Sequence, residues 1–244
     1  MRRAPAQNRL GQLLQANRKV HDPLLEPRNR LPLLGPLRRW QAERLRAGFA
    51  DFLASPRQRP AAEFFLSDLY GDFDVSGRDR DVERVLPVMR RVLPAKLLGA
   101  AADAIELAVL SHALDLRVTE ALQGIIDAPP IHQADYAEAY RRTGLQRLRR
   151  HQVMLIHQVG VDLDKAVSTP AIGALLRLSR GPAKAAGLAE LQSFLERGFA
   201  AFRALQGARA FVEEIARREL EVSRRLFAGH PQPFEVTPHP GSSA

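Results

Sequence analysis

The sequence contains no cysteine. This absence excludes disulfide bonds, thiol catalysis, iron–sulfur clusters and every cysteine-based zinc site, and it fits a reducing compartment, so we expect a cytoplasmic protein. Long apolar runs are also missing: none follows the arginines at the start of the chain, and no later segment approaches about 20 uncharged apolar residues. The sequence therefore predicts neither a secreted chain nor a membrane-spanning one, and no membrane partner.

Motifs that identify common enzymes are absent as well. The chain has neither of the glycine-rich phosphate-binding loops, no G-x-S-x-G elbow and no H-E-x-x-H zinc motif. These absences argue against nucleotide-binding enzymes, serine hydrolases and zinc proteases of standard type. Whether the chain is an enzyme at all stays open, and no cofactor or metal is predicted.

No segment alternates apolar and polar residues for long enough to form a strand. Apolar residues recur instead at helical spacing, as in Leu45, Phe49, Phe52 and Leu53. The pattern predicts an all-α fold with a single domain of about eight or nine helices. A segment over 95–124 is apolar nearly all round, which places it as a buried helix at the centre.

Charge and proline divide the chain into three predicted parts. Residues 1–46 carry 11 basic and 3 acidic residues, a net charge of +8, while the whole chain carries +9. Four prolines between 23 and 36 interrupt any helix there. We therefore expect a basic arm over 1–35 outside the core, a helical domain over 36–228 and a flexible tail over 229–244. A short helix over Asn8–Val20 is compatible with this arm.

A pattern similar to a calcium-binding loop begins at Asp72. Asp72, Asp74, Ser76 and Glu83 occupy the spacing of calcium ligands, with Gly77 at the sixth position. The aspartate at the eighth position, where such loops need an apolar residue, and the lack of a second loop argue against an EF-hand. The sequence favours a turn whose polar residues cap the next helix, with no calcium bound.

Candidate ligand-lining residues come from polar side chains inside predicted apolar helices. Burial of a carboxylate is costly unless the carboxylate is paired, so these residues need partners or a functional reason. Their spacing fits neither a di-iron bundle nor a metal site on one helix. The candidates are Asp103, Glu106, His112, Asp115, His157 and Glu219.

Several phrases of the chain resemble a family of helical bacterial proteins, mostly proteobacterial, of unknown function. They are WQAERLRAGFADFLASPRQRPAAEFFLSDLYG with the following GRDRDVERVLPVMRRVLP, then AIELAVLSHALD, and then GPAKAAGLAELQSFLERGFAAF. These phrases cover most of residues 37–228. The resemblance implies an independent helical domain, and it implies no activity, cofactor or substrate.

Three classes of function remain open. The first is an interaction or regulatory protein with a protein partner, which the absence of catalytic motifs favours. The second is an enzyme or small-ligand binder with a site between helices, lined by the candidates above. The third is weak, non-specific nucleic-acid binding through the basic residues of 1–46.

Overall fold

A computed structural model describes residues 6–69 and 95–237. In these residues every regular element is helical, so the predicted all-α class is confirmed. The calcium-like loop over 72–83 and the helix expected after it lie outside the described residues. The described α-helices number eleven, more than expected, and run as follows: α1 Ala6–His21, α2 Leu34–Gly48, α3 Ala50–Ala54, α4 Arg59–Phe64, α5 Ala95–Leu122, α6 Gln133–Thr143, α7 Gln146–Val167, α8 Pro170–Leu178, α9 Arg180–Ala185, α10 Ala189–Ala204 and α11 Arg209–Phe227.

Short elements join some of these helices. Pro27–Arg30 forms a 3₁₀ turn before α2, and Phe65–Leu69 continues α4 as a π-helix. The helical spacing of Leu45, Phe49, Phe52 and Leu53 predicts one helix, but the helix is divided at Phe49, whose backbone leaves the helical region with φ −120° and ψ 27°. Gly144, in the left-handed region with φ 62°, ends α6 and turns the chain into α7.

Helix α5 occupies the centre of the contact network, where it contacts α1, α2, α6 and α7. Its burial is uneven, because Leu114, Leu116 and Val118 are buried while Ala104 and Ala108 are exposed. Within it, Leu97–Leu122 is long and apolar enough to cross a membrane by length and composition, with mean hydropathy 1.5. Core helices of soluble proteins pass the same test.

The expected separation of the basic arm from the core is not observed. Leu10 and Leu14 of α1 are buried against Leu98 and Ala102 of α5, and Leu33 belongs to a second buried cluster. The reason is local: the leucines of α1 recur three and four residues apart on one face, and no proline interrupts the helix, since Pro5 precedes it and Pro23 follows it.

The tail also differs from expectation up to Thr237. Phe234 packs against Trp40 and Tyr136, with ring centroids 5.7 and 6.0 Å apart. The backbone carbonyls of Glu235 and Thr237 accept hydrogen bonds from arginines of α11. An aromatic side chain and two arginine donors thus hold a segment that composition alone describes as flexible.

Candidate functional site

Polar side chains from five helices meet inside the domain, and we name this group the polar seam. It runs between α2 on one side and α5, α6, α7 and α11 on the other. Its members are Arg38, Gln41, Arg44, Ser111, His112, Asp115, Tyr140, Arg149, Gln152, Glu219 and Ser223.

His112 lies at one end of the seam with both ring nitrogens engaged. Nδ1 lies 2.5 Å from Nη2 of Arg38, and since a guanidinium only donates, Nδ1 accepts. Nε2 therefore carries the proton and faces Oδ1 of Asn29 at 2.8 Å. Burial, together with the nearby His21 and Arg38, lowers the pKa of His112 to about 3. The imidazole is neutral and joins α5 to the segment before α2.

Asp115 occupies the next turn of α5 on the same side. Its Oδ1 accepts from Nε2 of Gln41 at 3.2 Å, and Oδ2 lies 3.8 Å from Nε of Arg38. Burial raises the pKa of Asp115, and the positive charges of Arg149 and Arg38 oppose that rise. Asp115 is thus a carboxylate that contacts Gln41 and Arg38 of α2 and lies within the electrostatic influence of Arg149 on α7.

Arg149 is the most deeply placed cation of the seam, with 5% of its surface exposed. Its Nη1 donates to Oε1 of Gln152 at 3.1 Å, and Gln152 in turn donates to Oγ of Ser111 at 2.8 Å. The guanidinium lies over the ring of Tyr140, 4.6 Å from the centroid. Its other two nitrogens, Nε and Nη2, are buried without a hydrogen-bond partner within the described structure.

The far end of the seam is an ion pair between α2 and α11. Nη1 and Nη2 of Arg44 hold the two oxygens of Glu219 at 2.6 and 3.0 Å. Burial opposes the charge of Arg44, and Glu219 more than compensates, so the pKa of Arg44 is raised. Tyr140 donates to Oγ of Ser223 at 2.9 Å, and burial raises the pKa of Tyr140 to about 12.

The structure brings three of the six sequence candidates into the seam: His112, Asp115 and Glu219. Asp103 and Glu106 share one face, as their spacing indicates, but that face meets α1, where both pair with Arg9. Glu106 also contacts Nε2 of His151 at 2.8 Å.

The sixth candidate, His157, is half-buried on α7 and is not a member of the seam. Within residues 6–69 and 95–237, no group of three or more histidines and carboxylates has the arrangement of a metal site.

The three arginines of the seam and Tyr140 are not among the residues predicted from the sequence. A signal for Arg149 was present, because it precedes Gln152, Val153 and Ile156 by three, four and seven residues and so lies on the buried face of its helix. A buried arginine on an apolar face needs partners as much as a buried carboxylate does.

The described part of the chain is thus a helical domain with a cation-rich polar layer inside it. The chain belongs to a family described as a domain of unknown function (DUF8198), whose model matches residues 21–233. All members of the polar seam lie within this match. No curated protein and no solved structure matches the chain.

Proposed function

We propose that this protein binds a small anionic ligand in the polar seam. The observation that carries the proposal is the guanidinium of Arg149, which is buried while two of its three nitrogens, Nε and Nη2, have no acceptor for their N–H groups. Buried donors without partners cost about 1–3 kcal/mol each, and more when the group is charged. An anion at Nε and Nη2 would remove this cost and gain charge-assisted hydrogen bonds.

Another arginine in the same chain supports this interpretation. Arg218 is 3% exposed, and its guanidinium is bound by Asp51 at 2.8 and 2.6 Å, by Glu214 at 2.7 Å and by the carbonyl of Gly48 at 3.1 Å. This fold is therefore able to satisfy a buried arginine completely. The open positions of Arg149 mark a site reserved for a group outside the chain.

Thermal unfolding in the presence of small anions tests the proposal. Sulfate, phosphate, acetate and succinate are compared with chloride at equal ionic strength, for the unmodified protein, Arg149→Gln and Arg150→Gln. Arg150 is the adjacent exposed arginine, and it serves as the matched control. We expect at least one anion to raise the unfolding midpoint saturably, since ligand at a hundred times Kd stabilises by about 2.7 kcal/mol.

The comparison of the two variants decides whether the anion binds at Arg149. The shift should disappear in Arg149→Gln and persist in Arg150→Gln. If no anion exceeds chloride, or if both variants respond alike, the seam does not bind anions and the unpartnered nitrogens have a structural cause.

The other functions expected from the sequence stay predictions. A protein partner would bind the exposed leucines Leu175 and Leu178 of α8 and Leu195 of α10. These two helices contact each other. Nucleic-acid contact would use the basic residues of 1–46. The cytoplasmic location and the bacterial source likewise remain expectations from composition and resemblance.

A further inference from the structure

We infer that the ligand of the polar seam is a monocarboxylate, held through both oxygens by Nε and Nη2 of Arg149. This inference rests on the proposed anion binding and specifies its chemistry. Three observations support it. Other arginines of this chain bind carboxylates through Nε and Nη2, the guanidinium of Arg149 has a fixed orientation, and the charges of the seam leave one positive charge uncompensated.

The Nε–Nη2 edge of arginine binds a carboxylate at four other places in the described structure. Arg28 holds Glu26 at 2.8 and 2.7 Å, and Arg180 holds Glu196 at 2.6 and 2.9 Å. Arg217 holds Glu214 at 2.7 Å through both nitrogens, and Arg224 holds Glu221 at 2.9 and 2.7 Å. The two parallel donors match the spacing of the two carboxylate oxygens.

The orientation of the Arg149 guanidinium is fixed by its partners. Nη1 is held by Gln152, which Ser111 holds in turn, and the plane of the group lies over Tyr140. These contacts leave the edge formed by Nε and Nη2 without hydrogen-bond acceptors. A ligand therefore meets a preorganised pair of donors, so little conformational entropy is lost when the two hydrogen bonds form.

The charges of the seam favour a single negative charge on the ligand. Three arginines, Arg38, Arg44 and Arg149, face two carboxylates, Asp115 and Glu219, while His112 is neutral. With both carboxylates ionised, one positive charge remains uncompensated inside the domain. A monocarboxylate balances it, whereas a phosphate dianion would leave an excess negative charge in a medium that penalises it.

The free edge has no access to solvent in this conformation. The ligand therefore enters when the side chains around Arg149 move, and it is shielded from water once bound. Such shielding strengthens a charge-assisted pair, because the local dielectric constant is low. Entry of the ligand therefore requires a transient opening of the side chains around Arg149, which close again over the bound ligand.

Titration of the full chain with sodium acetate, propionate and benzoate, and separately with phosphate and sulfate, tests the inference. Calorimetry gives the affinities, and the ¹⁵N–¹H signals of the arginine Nε groups report on the contact itself. The signal of Arg149 is the one absent from Arg149→Lys. We expect it to shift on carboxylate addition, and we expect the best carboxylate to bind at least tenfold more tightly than phosphate.

Arg149→Lys keeps the charge and removes the two-donor edge, so it should lose at least tenfold in carboxylate affinity. Arg150→Lys, the same change at the exposed neighbour, should lose nothing. Phosphate binding as tight as carboxylate binding would overturn the inference while the proposed anion site stands, and so would unchanged affinity in Arg149→Lys. If no anion binds and the Arg149 signal does not move, the proposed function itself fails.

Discussion

Arg149 and Arg218 show at the residue scale how the same side chain serves two purposes. Both are buried, with 5% and 3% exposure. Arg218 connects α11 to α3 through Asp51 and also pairs with Glu214 of its own helix, so its charge is compensated within the chain. Arg149 retains two unpartnered nitrogens. Residues kept for binding commonly reduce the stability of the protein, whereas residues kept for structure increase it.

Replacement of each arginine by methionine, which has similar reach and no charge, distinguishes these two roles. Arg149→Met removes the unpartnered donors of a buried charge and loses one hydrogen bond to Gln152, and since the first change outweighs the second, the free energy of unfolding should stay unchanged or rise by about 1–2 kcal/mol. Arg218→Met removes the arginine partner of Asp51 and one of the two arginines that hold the buried carboxylate of Glu214, so it should lower the free energy of unfolding by about 3–5 kcal/mol. Urea unfolding of both variants at pH 7 measures the difference. A loss at Arg149 as large as that at Arg218 would contradict the assignment.

His112 carries the prediction on pH. Burial, with His21 and Arg38 beside it, lowers its pKa from 6.5 to about 3 in the folded chain. Between these values the unfolded chain binds more protons than the folded one, so stability is greatest above pH 6.5 and falls as the pH drops towards 3. From pH 7 to pH 5 the unmodified protein should lose about 2 kcal/mol more than His112→Asn.

Urea unfolding at pH 7, 6 and 5 checks this difference in slope, whatever the variant loses at pH 7. The exposed His230 provides the control, because His230→Asn should follow the unmodified protein at each pH. Parallel slopes for the unmodified protein and His112→Asn would show that His112 does not control the pH dependence.

At the scale of elements, the sequence predicted helices well and their partners poorly. Helix α5, at Ala95–Leu122, begins and ends within two residues of the expected segment over 95–124, because proline, glycine and apolar spacing are local signals. The partners of α1 and of Phe234 depend on which apolar faces meet across the fold. Local patterns in one sequence do not reveal which faces those are. The same holds for the seam: helical spacing identifies Arg149 as inward-facing, but the unfilled edge of its guanidinium appears only in three dimensions.

The contact between α7 and α11 illustrates such a meeting of faces. A Cβ added at Gly160 would lie 2.3 Å from Cγ1 of Val212, so the helices approach closely only because glycine stands there. Gly160→Ala should lower the free energy of unfolding by about 1–2 kcal/mol, since overpacking outweighs the gain in helix propensity.

Gly99→Ala is the matched control for that contact. Gly99 lies inside α5, and nothing is within 4 Å of an added Cβ, so propensity alone acts and the variant should gain about 0.5–1 kcal/mol. Thermal or urea unfolding compares the two variants. Equal gains at both positions would mean that α7 and α11 do not approach as described.

At the scale of the whole molecule, part of the positive charge of residues 1–46 is paired with carboxylates of the fold. Four arginines of this segment, Arg9, Arg28, Arg38 and Arg44, pair with carboxylates of α5, α11 or the loop before α2. The basic segment is therefore partly neutralised by the domain on which it packs. Since Leu10, Leu14 and Leu33 are buried, deletion of residues 1–35 would expose the core and could not isolate the effect of charge.

Nucleic-acid binding is better tested on four exposed basic residues of this segment, Arg18, Lys19, Arg30 and Arg46. We expect weak retention of the protein on double-stranded DNA that falls steeply with salt, because each phosphate contact contributes about −0.9 to the slope of log K against log salt. Exchange of all four residues for glutamine should reduce the magnitude of that slope by about 3–4. A control variant carries glutamine at four exposed arginines elsewhere, Arg147, Arg150, Arg177 and Arg203. If the control loses as much as the first variant, retention comes from overall charge and residues 1–46 form no distinct nucleic-acid surface.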